Sequence, residues 1–357
     1  MEFQYPFVAT GIGSFPHQDA KEVFPLILKH FPEIPFWPQL PKRSFLEGMV
    51  IQYSEGFPSL KWSEKEQRAW VDTSPGFDRE IEKFYEQVEG SELEPFKITK
   101  DFAGGLKLLE NLSSEDYRKE IKYIKGQITG PITFGLALTD LEGKPIFYDP
   151  TLRDIIIKHL SMKARWMEKR FNDLFPGIPT ILFFDEPSLS AFGSAFSGLN
   201  REDVIHSLNE CFNSVKGLKG THCCGNTDWS VLLSTDLDIL SFDAYGYLET
   251  LSLYPKELKA FLERGGVLAW GIVPTNEVIA KEDAQSLVVR FKRGLKTLSN
   301  KGIETTLLQR AILTPSCGTA SLPIPLAEKV CELTAEVSRR LTLLPSLDFR
   351  TSLSMDV

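Results

Sequence analysis

The sequence is poor in the features that usually assign a protein quickly. Only 5 of its 357 residues are cysteine, a low and odd number that argues against a disulfide framework and for reduced thiols. There is no basic excess: 40 Lys and Arg against 48 Asp and Glu leave a net charge of −8. No overall field would therefore hold the chain on nucleic acid or on an anionic membrane. Long apolar runs are missing as well. The most apolar stretches, such as Ile178 to Phe184, fall far short of the roughly 18 residues that a membrane span requires. The start, Met1 to Thr10, carries Glu2 and none of the basic residues that open a secretory leader. The expectation is a soluble, cytoplasmic protein with small-molecule or protein partners.

What is present is the composition of an ordinary folded protein, 42% hydrophobic and 25% charged with 25 Gly and 22 Pro, which excludes disorder and collagen-like repeats. At about 150 residues per domain, the length allows two ordinary domains or one large α/β barrel. Short β-rich apolar runs decide between them. Eight can be placed, at Phe7–Gly13, Ile34–Leu40, Tyr123–Thr129, Thr180–Asp185, Leu218–Cys224, Asp238–Asp243, Val267–Val273 and Thr305–Leu313. Between them lie helical patterns at Asp149–Phe175, Arg201–Lys216, Pro255–Arg264, Thr275–Asn300 and Pro325–Leu341, with Asn200 and Thr275 placed as caps. This alternation predicts an α/β fold, a (β/α)8 TIM barrel. The stretch from Pro41 to Leu112 is too long for a simple connection and contains a helical run near Asp78–Val88. No Pro/Gly/Ser-rich linker flanks it, so it reads as an insertion over the barrel mouth within a single domain spanning 1–357.

In such barrels the reacting groups sit on the loops that follow the strands. The expected strand ends carry Ser14, Asp185 and Glu186, His222 and Cys224, Asp243, and Cys317. In Thr221-His222-Cys223-Cys224-Gly225, side chains two apart share a face. His222 and Cys224 would point into the barrel and Cys223 toward the helices. Cys317, in Pro315-Ser316-Cys317-Gly318, would be exposed by its turn. Two thiolates and an imidazole suit tetrahedral zinc and leave one position open. Asp243 has the parity to face inward as a fourth ligand or as an acceptor that orients His222. Cys211 and Cys331 fall in helical patterns and read as packing residues. Asp185 and Glu186 end a very apolar strand, where desolvation is costly unless a cation or hydrogen-bond donors meet them. A ligand ammonium, a turn cap at Asp185 or an arginine partner for Glu186 would each serve. Gly11-Ile12-Gly13-Ser14-Phe15-Pro16 fails as a dinucleotide fingerprint and reads as a tight turn that offers backbone groups to a ligand.

Taken together, Ile12-Gly13-Ser14-Phe15-Pro16, Gly130-Pro131, Asp185-Glu186-Pro187, His222-Cys223-Cys224, Asp243-Ala244 and Cys317-Gly318 resemble the catalytic barrel of cobalamin-independent methionine synthase. That barrel belongs to a wider group with uroporphyrinogen decarboxylase and corrinoid methyltransferases. The resemblance implies a zinc-dependent thiol S-methyltransferase acting on homocysteine, with His222, Cys224, Cys317 and Asp243 as catalytic metal ligands. It also implies that Ile12, Ser14 and Asp185, with Glu186 beside it, bind the amino-acid substrate. The family has glutamate at the Asp243 position, and aspartate is one methylene shorter. Nothing here corresponds to the N-terminal barrel that helps bind folate. Where the family carries a proton-donating histidine, this chain reads Ala269-Trp270-Gly271-Ile272-Val273-Pro274. A methyl-corrinoid, protein-bound, is accordingly expected as donor ahead of methyl-folate. The rival readings are a metal-free decarboxylase drawing on arginines such as Arg43, a coenzyme M-type methyltransferase, and a non-catalytic zinc or corrinoid module.

Overall fold

In the computed structural model, residues 3–113, 118–194 and 197–343 are described. The remainder of the expected 1–357 domain lies outside the described residues. Among the described residues there are nine strands: β1 (Val8–Ala9), β2 (Leu60–Ser63), β3 (Arg68–Val71), β4 (Ile124–Thr129), β5 (Thr180–Asp185), β6 (Leu218–Cys223), β7 (Ile239–Phe242), β8 (Val267–Val273) and β9 (Ala311–Pro315). Seven form one sheet in the order β1-β9-β8-β7-β6-β5-β4, and every pairing in it is parallel. Helices connect the strands, among them Pro150–Leu174, Arg201–Asn213, Pro255–Glu263, Ala284–Asn300 and Ile324–Thr342.

Alternation along these strands separates two cores. Val8, Ile181, Phe183, Leu218, Ile239, Val267, Ala269 and Ile312 form one cluster on the inner face. Their neighbours in sequence, such as Leu182, Phe184, Leu240, Leu268 and Leu313, pack with the helices. The second expected strand, Ile34–Leu40, is present only as isolated parallel bridges, Ser14 to Gln39 on one side and Phe36 to Lys125 on the other. Pro35 and Pro38 have no N–H to give, so a continuous ladder cannot form there. The regular sheet is therefore seven-stranded, with this segment lying between its two edges.

Two other expectations change. Thr305–Leu313 divides into a short helix, Thr305–Leu308, and β9, because a short apolar run does not by itself distinguish the two states. Thr275 caps nothing. Asn276 caps a 3-10 turn, and the helix Ala284–Asn300 begins at Asp283, which forms a capping box with Ser286. Asn200 does cap its helix, accepting from the backbone of Glu202 and Asp203.

The segment 41–112 holds the antiparallel pair β2–β3 and the helix Phe77–Glu89. Buried polar groups fasten it to the helix Pro150–Leu174. His159 Nε2 meets the carbonyl of Tyr53 at 2.7 Å, and Lys163 Nζ donates to the carbonyls of Phe96 and Lys97, each at 3.3 Å. Burial pulls the Lys163 ammonium down to about 7, against the opposing pull of Glu55. An unfolded lysine titrates near 10.4, so between these two values the unfolded chain holds more protons and stability must rise with pH. The stabilising contribution is complete above the unfolded value and is lost as pH falls through about 7. Urea unfolding at pH 7 and pH 9 should show the wild type gaining stability relative to Lys163→Met; parallel pH profiles for the two proteins would refute this assignment.

Candidate functional site

The sheet register sets out the site. Asp185 on β5 is paired with His222 on β6, His222 with Ser241 on β7, and Ser241 with Ala269 on β8. Three polar side chains thus stand abreast at the C-terminal ends of neighbouring strands. His222 Nδ1 lies 2.9 Å from Ser241 Oγ, which fixes the ring and leaves Nε2 buried without a hydrogen-bond partner. Two residues on, beyond the strand, Cys224 emerges on the same side. Cys223 faces the opposite way into the helix-side core.

Cys317 arrives from the other end of the chain. Its turn is docked on the turn after β1: Thr319 donates both its N–H and its hydroxyl to the carbonyl of Ser14, each at 2.9 Å. A Cβ on Gly318 would collide with Ser14 Oγ, so glycine is what lets the two turns approach. The outcome is that ligand atoms of His222, Cys224 and Cys317 all lie within 4.8 Å of one another. The two thiols share a hydrogen bond. Cys224 is pulled down to about 4, first by that bond and then by His222, while Cys317 is pushed up by the same partner and by burial. Such a donor set, with an orphaned buried ring nitrogen facing two sulfurs, fits a thiophilic divalent cation.

A cavity of about 200 Å³ opens on these residues and is also lined by Ile12, Ser14 and Asp185. Burial pushes the Asp185 carboxyl up to about 6, against the opposing pull of His222 and Lys125. The remaining two expected site residues lie elsewhere. Asp243 has the predicted parity, but its Oδ1 accepts from the N–H of Gly246 at 2.8 Å and caps the helix Ala244–Leu251. It is not part of the cluster formed by the other three. Glu186 is fully buried and does not line the cavity. Its carboxylate accepts from Ile132 N, Thr133 N and Thr133 Oγ1 at 2.9, 2.7 and 2.6 Å. It therefore serves as the cap that the helix Pro131–Ala137 cannot supply for itself, because its own N-cap is Gly130. Burial nonetheless pushes the Glu186 carboxyl up to about 8. A Cβ at Gly130 would meet that carboxylate, so Gly130-Pro131 and Asp185-Glu186-Pro187 are one structural device.

Several cavity residues were not anticipated from sequence. Gln39, Glu47, Met49, Tyr53 and Thr129 share the lining. Gln39 Nε2 donates to Gln52 Oε1 at 2.8 Å and to Tyr53 Oη at 2.9 Å, and Tyr53 Oη donates to the carbonyl of Gln127 at 2.7 Å. Lys125, fully enclosed between the rings of Phe36 and Phe183, donates to the carbonyl of Ile12 at 2.7 Å and so holds the first turn. The sequence carried a signal for these inner-face groups: Lys125, Gln127 and Thr129 alternate through a buried parallel strand, where apolar residues are the rule. Arg43 is committed to Glu47 and to the carbonyls of Lys100 and Asp101.

No family model and no curated protein matches this sequence. Among solved structures, a methyltransferase from Methanosarcina mazei aligns over 94% of this chain and 94% of its own, at 16% identity and a TM-score of 0.51. A B12-independent methionine synthase from a Shewanella species, in complex with selenomethionine, aligns over 66% of each chain at 19% identity and a TM-score of 0.45. The Methanosarcina protein shares the fold of this chain.

Replacing Glu186 by Ala leaves the two N–H groups of Ile132 and Thr133 buried without acceptors. At about 1–3 kcal/mol for each stranded group, the variant should lose on the order of 3 kcal/mol in urea unfolding. A substrate-binding role alone would predict unchanged stability and a changed KM.

Proposed function

We propose that the chain is a zinc-dependent thiol S-methyltransferase, built as a (β/α)8 barrel in which the segment 34–40 is the remaining stave and 41–112 is the insertion over the mouth. The observation that carries this reading is the convergence of His222, Cys224 and Cys317 from two distant strand ends, with His222 Nε2 buried and unpartnered. His222, Cys224 and Cys317 would hold zinc, which when bound would favour the ionised form of a substrate thiol at neutral pH for attack on an activated methyl group.

The protein's own groups then select and orient the thiol. Asp185, at the cavity wall, offers a carboxylate to a substrate ammonium, whose arrival favours the ionised acid. Ser14 and the backbone of Ile12 offer donors to a substrate carboxylate, and Lys125 keeps that turn in place. An amino-acid thiol fits a cavity of about 200 Å³, smaller than the roughly 300–1,000 Å³ of pockets for drug-sized ligands. Homocysteine, giving methionine, is the acceptor we favour. A porphyrin does not fit this volume, and Arg43, one of the arginines considered for it, is already engaged.

A methyl-corrinoid is the favoured donor. The amine leaving group of a methyl-folate must take up a proton, whereas a methyl-cobalt bond breaks heterolytically to Co(I) as the new S–CH3 bond forms, without proton transfer to the leaving group. Of the five histidines in the chain, only His222 lines the cavity, and we assign it to the metal.

Metal analysis of the purified chain should give about one zinc per protein, and Cys224→Ser or Cys317→Ser should abolish retention. Ser241→Ala, which frees the His222 ring, should weaken zinc binding about 10–100-fold without unfolding the protein. Methionine formation from homocysteine should proceed with methylcobalamin and stop in Cys317→Ala. A chain that does not bind zinc, or that turns over rapidly with methyl-folate alone, would overturn the metal or the donor assignment respectively.

A further inference from the structure

The charges that line the cavity at the strand ends suit one half of an amino acid and not the other. Among the described residues lining it are two acids, Glu47 and Asp185, and no lysine or arginine. Glu47 is answered by Arg43, and Asp185 suits an ammonium. A ligand that also carries a carboxylate brings a second negative charge toward Asp185, which is itself buried, and like charges are poorly screened in such a setting.

A compensating cation stands behind the wall. Lys125, on the inner face of β4, is only 2% exposed, and its Nζ lies 5.3 Å from the ring centre of Phe36 and 5.0 Å from that of Phe183. The ammonium donates to the carbonyl of Ile12 at 2.7 Å and to Gln127 Oε1 at 3.3 Å, and Gln127 Nε2 is anchored on the carbonyl of Trp37 at 3.1 Å. Burial pulls the ammonium down to about 8, against the opposing pull of Asp185, which leaves it charged at neutral pH.

Three successive carbonyls of the first turn are held from outside it. That of Ile12 accepts from Lys125, that of Gly13 from the N–H of Gln39 at 2.9 Å, and that of Ser14 from the N–H and the hydroxyl of Thr319, each at 2.9 Å. Gln39 and Thr319 act through neutral donors. An uncharged group is therefore enough to hold such a carbonyl, and fixing the turn does not by itself account for burying an ammonium, which is costly. What the charge adds is polarisation. In a trans peptide the N–H of Gly13 points opposite to the Ile12 carbonyl, and a cation on that oxygen makes the N–H a stronger donor while setting a positive potential behind the turn.

We propose that Lys125, acting through the Ile12–Gly13 peptide, is a positioning residue that makes the cavity selective for an amino-acid thiol over the corresponding amine without a carboxylate. The inference rests on the methyltransferase reading for the identity of the thiol.

Calorimetric titration of the purified chain with L-methionine and with 3-(methylthio)propylamine, the same molecule without its carboxylate, tests this. The wild type should bind L-methionine more tightly than the amine. Lys125→Met should weaken L-methionine binding about tenfold or more, the scale of a hydrogen bond to a charged group, and leave amine binding within about twofold. Should Lys125→Met not fold, Lys125→Gln, a neutral donor, is read in the same way. An equal loss for both ligands would mark Lys125 as merely structural. That result, undiminished L-methionine binding in the variant, or a wild type without preference for L-methionine would each overturn the proposal. Methionine formation from homocysteine in the same preparation keeps the two readings apart: a wild type that forms methionine while Lys125→Met loses both ligands equally refutes only the positioning role.

Discussion

The constraint on which the rest depends is the parallel register at the strand ends. Asp185, His222 and Ser241 are cross-strand partners in one row, so their side chains must share a face and a height. A slip of one residue in any of these pairings would turn the polar groups toward the helices and Cys223 toward the cavity. The apolar row beneath, including Ile181, Phe183, Ile239 and Ala269, opposes such a slip because its burial on the inner face would be lost at the same time. The chemistry of the site is thus held by hydrophobic packing below it.

The second requirement is that the two ends of the chain meet. Cys317 reaches His222 and Cys224 because Thr319 binds the carbonyl of Ser14 and because Gly318 leaves room for Ser14 Oγ. Lys125 completes this arrangement by holding the carbonyl of Ile12 from β4. Burying an ammonium group is costly, and its direct hydrogen bond to the first turn, with Asp185 nearby, is what offsets that cost. The insertion adds the roof. Gln39 donates to Gln52 and to Tyr53, and Tyr53 donates on to the carbonyl of Gln127, so these groups fix one another's positions in the cavity wall.

The carboxyl pair at the end of β5 shows how adjacent residues of one type acquire different duties. Asp185 continues the inward alternation and lines the cavity. Glu186, one position on, turns to the opposite side and binds the first N–H groups of the helix Pro131–Ala137, which have no acceptor within the helix. Both carboxyls are raised by burial. Only the alternation of the strand separates the cavity-facing acid from the structural one.

Local pattern by itself determined the strands β4 to β8, most helix spans, the cap at Asn200 and the shared inward face of His222 and Cys224, since side-chain period and capping chemistry act over a few residues. It did not determine the interrupted bridging of 34–40, where Pro35 and Pro38 prevent a ladder, nor the division of 305–313 into helix and strand. Tertiary structure alone decided that Asp243 caps a helix, that Glu186 belongs to a neighbouring helix, and that Tyr53, Gln39 and Lys125 surround the cavity. Those outcomes depend on which donors lie within about 3 Å across the fold. That distance is created by packing between segments that are remote in sequence, and the spacing of residues along the chain does not encode it.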